Sequence, residues 1–112
     1  MLHVSIVLYL PDWMQVSKLT QVLLQSDHLN HIYWIDNSPI AQSELTIQSS
    51  KLSYIHTSSN IGYGKAHNIA IRESIYDEVP YHLVVNPDII LTKEALDEML
   101  RFISKHPEVG SL

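Results

Sequence analysis

The 112-residue chain contains no cysteine. Disulfide bonds, thiolate zinc sites and cysteine nucleophiles are therefore excluded from its chemistry. The chain also lacks any apolar run near the roughly 20 residues that a membrane-spanning helix needs. Its start, Met1–Leu2–His3–Val4, has neither the basic region nor the cleavage site of a signal peptide. We therefore expect a cytoplasmic protein.

Positive charge is scarce in this sequence. Seven Lys and Arg residues stand against 12 Asp and Glu residues, which gives a formal net charge of -5. The basic residues are scattered, whereas binding to a nucleic-acid polymer depends on a clustered basic face. We expect no nucleic acid among the partners, although a single nucleotide needs only a few donors. The composition is globular, at 46% hydrophobic and 17% charged residues, and the length predicts one domain spanning residues 1–112.

Four short apolar runs alternate with segments of helical periodicity. The runs are rich in β-branched residues and too short for helices, so they predict strands over residues 2–10, 31–35, 52–56 and 81–86. Helices are predicted after Asp12, Gly64 and Thr92, the last ending at His106–Pro107, and weak periodicity predicts a short helix over residues 40–50. This alternation predicts an α/β fold, a Rossmann-like parallel sheet with helices on both faces.

The carboxyl ends of three of the predicted strands carry polar residues, namely Tyr9, Asp36 and Asn86–Pro87–Asp88. The carboxyl ends of parallel strands share one edge of the sheet, where open α/β sheets bind ligands. Pro87 cannot donate a ladder hydrogen bond, so we expect pairing to end there and Asp88 to face outward. One carboxylate in that position suits Mg²⁺ or Mn²⁺ carried in by a diphosphate. A plain polar turn is the alternative reading of these residues alone.

Several familiar motifs are absent from the rest of the chain. Gly62–Tyr63–Gly64–Lys65 has Ser59 and Ala66 where a P-loop would have Gly and Ser or Thr, and His67 where a dinucleotide fingerprint would have Gly. The seven histidines include no HExxH pair and are interpreted as surface or packing residues. No serine lies in a nucleophile elbow. A receiver-like signalling domain would need acidic residues where Leu8–Tyr9–Leu10 stands.

Four segments occur in a characteristic order, namely Ile6–Tyr9, Asp36–Ser38, Asn60–Asn68 and Asn86–Asp88. With them the chain resembles the family 2 glycosyltransferases from Val4 to Gly110, most closely a rhamnosyltransferase-like branch that builds bacterial surface polysaccharides. The resemblance implies the N-terminal half of a GT-A fold, which binds a nucleoside diphosphate sugar of the UDP or dTDP type. The acceptor would be a saccharide or a lipid-linked saccharide. The full-length protein would then lie peripherally at the inner face of the membrane.

The resemblance also implies a role for each matching residue in the nucleotide pocket. Tyr9 would lie against the nucleobase, and Asp36 would accept the hydrogen bond from the ring N–H of the base. Uracil and thymine present such an N–H, and an ionised carboxylate is an acceptor only. The remaining lining of the nucleotide pocket would come from Asn60, Gly62 and Lys65. Lys65 would offset part of the diphosphate charge.

Asn86 and Asp88 stand at the DXD position of the family. The resemblance implies that Asn86 lies near the ribose and that Asp88 is the ligand of Mg²⁺ or Mn²⁺. Asn86 departs from a strict DXD and lowers the negative charge there. The acceptor half and its general base would lie beyond Leu112, so we expect the isolated chain to be inactive and to self-associate through surface that the other half would cover. The alternative is a non-catalytic binding or assembly module that retains the fold.

Overall fold

The computed structural model describes residues 2–105, and its strands form one parallel sheet in the order β3–β2–β1–β4. The strands are β1 Leu2–Leu8, β2 Leu29–Asp36, β3 Leu52–His56 and β4 Tyr81–Val85, and the helices are α1 Trp13–Leu24, α2 Tyr63–Tyr76 and α3 Lys93–Lys105. This confirms the predicted Rossmann-like α/β fold. The predicted helix stop at His106–Pro107 and the end of the family resemblance at Gly110 lie outside the described residues.

The central strand β1 is buried along its whole length, because strands flank it on both sides and helices cover both faces of the sheet. Successive side chains of a strand point to opposite faces. On one face the core joins the sheet to α1 and α3, and it contains Val4, Ile6, Leu8, Val16, Leu19, Leu23, Ile32, Trp34, Leu83, Val85 and Leu96. The other face is covered by α2 over a smaller core of Val7, Tyr33, Ile35, Ala66 and Ala70. Both faces are thus occupied, and the carboxyl edge remains for a ligand.

Helices α1 and α3 begin where the sequence predicts them, whereas α2 begins at Tyr63, two residues before the predicted start after Gly64. The Asp12 side chain accepts hydrogen bonds from the first-turn backbone of α1, and Thr92 Oγ1 accepts one from Ala95 N at 3.1 Å at the start of α3. Gly62 precedes α2 and offers no side chain to cap it. Among residues 2–105, no helix combines the length and the apolar character that a membrane crossing requires.

The prediction of a short helix over residues 40–50 is wrong, because this segment forms an extended loop instead. Gln42 N donates to the Tyr54 hydroxyl at 2.9 Å, so this loop is attached to the neighbouring strand β3. Leu45 and Ile47 both pack against the core beside α1. Apolar residues two apart point the same way in extended backbone, not in a helix. Tertiary packing therefore outweighs the weak helical periodicity.

The face of the sheet beneath α2 holds a buried chain of histidine and serine side chains. His67 Nδ1 lies 2.6 Å from Ser5 Oγ, which lies 2.9 Å from His82 Nε2. His82 Nδ1 lies 2.6 Å from Ser74 Oγ, which lies 2.9 Å from His3 Nδ1. Burial lowers the pKa of His67 and of His82 to about 4. We call these five residues the histidine–serine network; they are packing residues that stay neutral at pH 7.

Candidate functional site

The loops at the carboxyl edge of the sheet lie side by side. Leu8, Asp36 and His56 pair across three strands at the same level, and β4 ends at Val85, which pairs with Ile6. Most of the large exposed hydrophobic side chains among the described residues lie on this edge, namely Tyr9, Leu10, Met14, Ile40, Tyr63, Ile89 and Ile90. A concentration of exposed apolar side chains is typical of a binding surface. The candidate site is therefore at this edge.

Asp36 ends β2 and forms part of a cleft of about 300 Å³. Its carboxylate accepts hydrogen bonds from Ser38 N at 2.9 Å and from the Tyr54 hydroxyl at 2.6 Å. Burial and then the bond to Asp36 raise the pKa of Tyr54, so the tyrosine is the donor of that bond. The cleft, which we call the Asp36 cleft, is lined by Leu10, Pro11, Trp13, Asp36, Ser38, Ile40 and Gln42.

Ser38 connects three loops at the Asp36 cleft. Its hydroxyl accepts a hydrogen bond from Leu10 N at 2.7 Å, and its carbonyl accepts one from His56 Nε2 at 2.6 Å. The first of these bonds holds Leu10 in left-handed backbone with a φ of 46°, a conformation that few non-glycine residues adopt. Strained backbone that is fixed by its surroundings is typical of ligand sites. The loops after β1, β2 and β3 are thus held in one arrangement.

Asn60, Gly62 and Lys65 lie together at the start of α2, and all three are exposed. Asn60 Oδ1 accepts a hydrogen bond from Gly62 N at 3.0 Å, and Gly62 O accepts one from Asn37 Nδ2 at 3.3 Å. A Cβ atom placed on Gly62 or on Gly64 would meet nothing within 4 Å. A ligand can therefore approach the backbone here, and Asn37, the residue next to Asp36, is hydrogen-bonded to this segment.

Asn86 and Asp88 are exposed on the turn that follows β4. Asp88 lines a second cleft, of about 130 Å³, whose other lining residues are Gln15, Lys18, Leu19, Val22, Ile89, Ile90 and Leu91. Because β1 lies between β2 and β4, the strands that carry Asp36 and Asp88 are roughly 10 Å apart. Tyr9 follows the intervening strand and is 52% exposed. The structure brings these residues to one edge and places the two carboxylates in separate clefts.

The described part of the chain offers a restricted set of metal ligands. Between residues 2 and 105, no three His, Cys, Asp or Glu side chains are grouped so that they could hold an ion. Mg²⁺ needs only one or two protein carboxylates when substrate phosphates supply further oxygens. Asp88 provides one exposed carboxylate, a hard oxygen donor. The donor set therefore fits an ion that arrives with a diphosphate, not one held by protein ligands alone.

The hydrogen-bond partners of Asp36 were not found by sequence reasoning. Tyr54 is 18 residues away, and only the pairing of Trp34 with Tyr54 across β2 and β3 brings its ring beneath the site. Ser38 belongs to the turn predicted after β2, but its role in linking Leu10 and His56 depends on strand order. The sequence offered only local signals for these two partners. Tyr54 is an aromatic residue on a short predicted strand, and Ser38 lies in a turn rich in polar residues.

No protein-family model matches the chain. No curated protein matches it either. Among solved structures, it is similar to S. aureus TarS 1–349, with a TM-score of 0.67 and 21% identity over 95% of this chain and 33% of that chain. A second structure of S. aureus TarS gives a TM-score of 0.66 and 21% identity, over 95% of this chain and 20% of that one. The chain therefore spans a third or less of each of these two structures, and the likeness establishes the fold.

Proposed function

We propose that this chain is the donor-binding part of a glycosyltransferase, which binds a nucleoside diphosphate sugar of the UDP or dTDP type. The observation that carries the proposal is the fixed Asp36 carboxylate in an open cleft, next to Asn37, whose side chain is hydrogen-bonded to the exposed start of α2. The shared fold adds support, because S. aureus TarS is a wall teichoic acid glycosyltransferase. The site residues implied by the resemblance to the family 2 glycosyltransferases also lie at this edge.

In this proposal the Asp36 cleft takes the nucleobase. An ionised carboxylate only accepts hydrogen bonds, so it favours a base with a ring N–H over one without. Each carboxylate oxygen can accept two hydrogen bonds, and each has one protein partner here. Asp36 is only 1% exposed, so a base that reaches it must push aside part of the cleft lining. Tyr9, exposed at the end of β1, would lie against the base.

The start of α2 would contact the diphosphate. Backbone N–H groups at a helix N-terminus favour anions, and Gly62 and Gly64 leave the backbone open to approach. Lys65 would add positive charge, and Asn60 would complete this part of the pocket. Asp88 would hold Mg²⁺ or Mn²⁺, with Asn86 near the ribose. The ion would supply charge stabilisation to the departing nucleoside diphosphate.

The transfer step itself belongs, in this proposal, to a longer protein. The chain spans 33% of the TarS 1–349 structure that it matches, and we propose that the general base and the acceptor site lie in further sequence. The acceptor would be a saccharide or lipid-linked saccharide of a surface polysaccharide, and the rhamnosyltransferase-like branch suggests a hexosyl group. Such a protein would work in the cytoplasm, at the inner face of the membrane. The 112-residue chain alone should transfer no sugar.

Calorimetric titration with UDP and dTDP, with and without Mn²⁺, tests the proposal. Asp88→Ala should abolish the part of the affinity that depends on Mn²⁺, because it removes the carboxylate proposed to hold the ion. Asp36→Ala should reduce the preference for UDP over CDP, because cytosine lacks the ring N–H that Asp36 would recognise. The expected loss in UDP affinity is about 10-fold or more in each variant.

Asp27→Ala is the matched control, because Asp27 is an exposed carboxylate at the opposite edge of the sheet, before β2. It should bind UDP as the parent chain does. If both Asp36→Ala and Asp88→Ala keep the parent affinity and selectivity, the site is assigned to the wrong residues. If the parent chain binds none of these nucleotides with or without Mn²⁺, the donor-binding proposal is wrong.

A further inference from the structure

We propose that Tyr54 is a positioning residue that determines nucleobase selectivity at the Asp36 cleft. This inference rests on the proposed function for its ligand, a uracil or thymine nucleotide. Its geometry comes from the structure, in which the Tyr54 hydroxyl is hydrogen-bonded to the Asp36 carboxylate and to Gln42, a residue that lines the cleft. Nothing in the sequence pattern around Tyr54 assigns it such a role.

The Tyr54 hydroxyl makes two hydrogen bonds in opposite senses. It donates to Asp36 Oδ2 at 2.6 Å and accepts from Gln42 N at 2.9 Å. Both distances are those of well-formed hydrogen bonds, and a bond to a carboxylate is among the stronger kinds. Asp36 and Gln42 both line the Asp36 cleft. One side chain thus fixes the carboxylate and the loop that stands beside it.

The ring of Tyr54 is itself held in place. It lies 6.4 Å from the ring of Trp13, which lies 5.5 Å from the ring of Trp34, and Trp34 is fully buried. Trp34 Nε1 donates to Thr20 Oγ1 at 3.0 Å, which attaches this group of tilted rings to α1. Because the tyrosine ring cannot shift freely, its hydroxyl holds the Asp36 carboxylate in one orientation.

Selectivity follows from this orientation. Ser38 N holds the other carboxylate oxygen at 2.9 Å, so the plane of the carboxylate is defined at both ends. A base N–H is recognised only if an acceptor lone pair meets it at the right angle. Without the Tyr54 hydroxyl, the carboxylate could turn and the residue 38–42 loop would lose its bond at Gln42 N. Preference for a base with a ring N–H should then fall even though Asp36 remains.

The test compares Tyr54→Phe with the control Tyr81→Phe by calorimetry with UDP and CDP. Tyr81 is a partly buried tyrosine that packs against the same core, so the two variants lose the same group. We expect Tyr54→Phe to weaken UDP binding about 10-fold and to bring the UDP to CDP affinity ratio close to one. Tyr81→Phe should keep the parent ratio. An unchanged ratio in Tyr54→Phe would refute the selectivity role.

A measurement without nucleotide separates this inference from the proposed function. Amide hydrogen exchange at Gln42 should be about 5-fold faster or more in Tyr54→Phe, because its acceptor is gone, and unchanged in Tyr81→Phe. Parent-like protection at Gln42 would show that Tyr54 does not hold the loop and would overturn the inference. If Gln42 loses protection but the parent chain binds no nucleotide, the positioning contact stands and the donor-binding proposal is what fails.

Discussion

At the scale of single residues, unusual backbone geometry concentrates at the candidate site. Three of the four described residues with positive φ lie in loops at the carboxyl edge, namely Leu10 at 46°, Ser58 at 67° and Gly62 at 88°, and the fourth, Glu78, lies between α2 and β4. Leu10 is held by Ser38 and Gly62 by Asn60 and Asn37. Strained positions persist only where the surroundings fix them. The loops of this edge are therefore held in shape before any ligand arrives.

Gly62 and Gly64 provide a matched pair for testing this strain. Gly62 combines a φ of 88° with a ψ of 164°, a region that is open almost only to glycine. Since a Cβ at either position would meet nothing within 4 Å, the two substitutions differ in backbone energy alone. Gly62→Ala should lower the free energy of unfolding by about 1–3 kcal/mol. Gly64→Ala, inside α2, should leave it unchanged or raise it by up to about 1 kcal/mol.

Urea denaturation followed by circular dichroism measures both changes. Equal stabilities for the two glycine variants would mean that the Gly62 conformation is not required for the folded state. The comparison needs no ligand, so it holds whatever the chain binds.

At the scale of elements, α2 depends on polar contacts more than the other helices do. It covers a small apolar core, and the histidine–serine network joins it to β1 and β4. His67 Nε2 is buried without a hydrogen-bond partner among the described residues, so protonation there would place a charge where nothing compensates it. His3 also approaches Asp77, with 3.9 Å between Nε2 and Oδ2. The attachment of α2 should therefore be sensitive to pH.

Acidification from pH 7 to pH 5 should destabilise the protein. Burial lowers the folded-state pKa of His67 and His82 to about 4, whereas an unfolded chain takes up these protons near pH 6.5. Below pH 6.5 the unfolded state therefore binds more protons than the folded state. The free energy of unfolding decreases as the pH is lowered, down to about pH 4. By pH 5 we expect a loss of about 1–2 kcal/mol from each of the two histidines.

Thermal unfolding at several pH values measures this loss, and two variants assign it. His82→Gln should reduce the pH dependence between pH 7 and pH 5, because one of the two titrating groups is gone. His28→Gln removes an exposed histidine before β2 and should behave as the parent chain does. A parent-like pH dependence in His82→Gln would mean that the network does not control the stability of the fold.

The sequence predicted the elements better than the contacts between them. The alternation of apolar runs with segments of helical periodicity correctly predicted four strands, three helices and a parallel sheet, because each of these signals is local. Asp36 could be named from its place at a strand end. Its bond to Tyr54, the link from Asn37 to Gly62 and the histidine–serine network could not, because they depend on which strands become neighbours. The prediction of a helix over residues 40–50 is wrong for the same reason.

At the scale of the whole molecule, the four-stranded sheet of the described residues has an edge strand at each side, β3 and β4. Among residues 2–105, β4 is hydrogen-bonded in the sheet to β1 alone, and the turn after it carries Ile90, which is 97% exposed. An open strand edge beside apolar side chains favours association between chains. We therefore expect the chain to self-associate through the β4 side.

Sedimentation velocity over a range of protein concentrations tests this expectation. The parent chain should form dimers or larger species as its concentration rises, and Ile90→Lys should weaken this association without lowering the melting temperature. Ile75→Lys is the control, because Ile75 is also well exposed, at 72%, but lies near the end of α2. A monomer at every concentration, or association lost in Ile75→Lys and kept in Ile90→Lys, would contradict the expected surface.

The position of β1 in the centre of the sheet has a consequence for biosynthesis. This strand is made before its second neighbour, β4, which follows only some 75 residues later. At ordinary translation rates that interval is roughly 4 to 15 s. During it, this strand, which is fully buried in the folded protein, has one flank without its partner. Chaperones that shield hydrophobic strands would have their main opportunity on this protein in that interval.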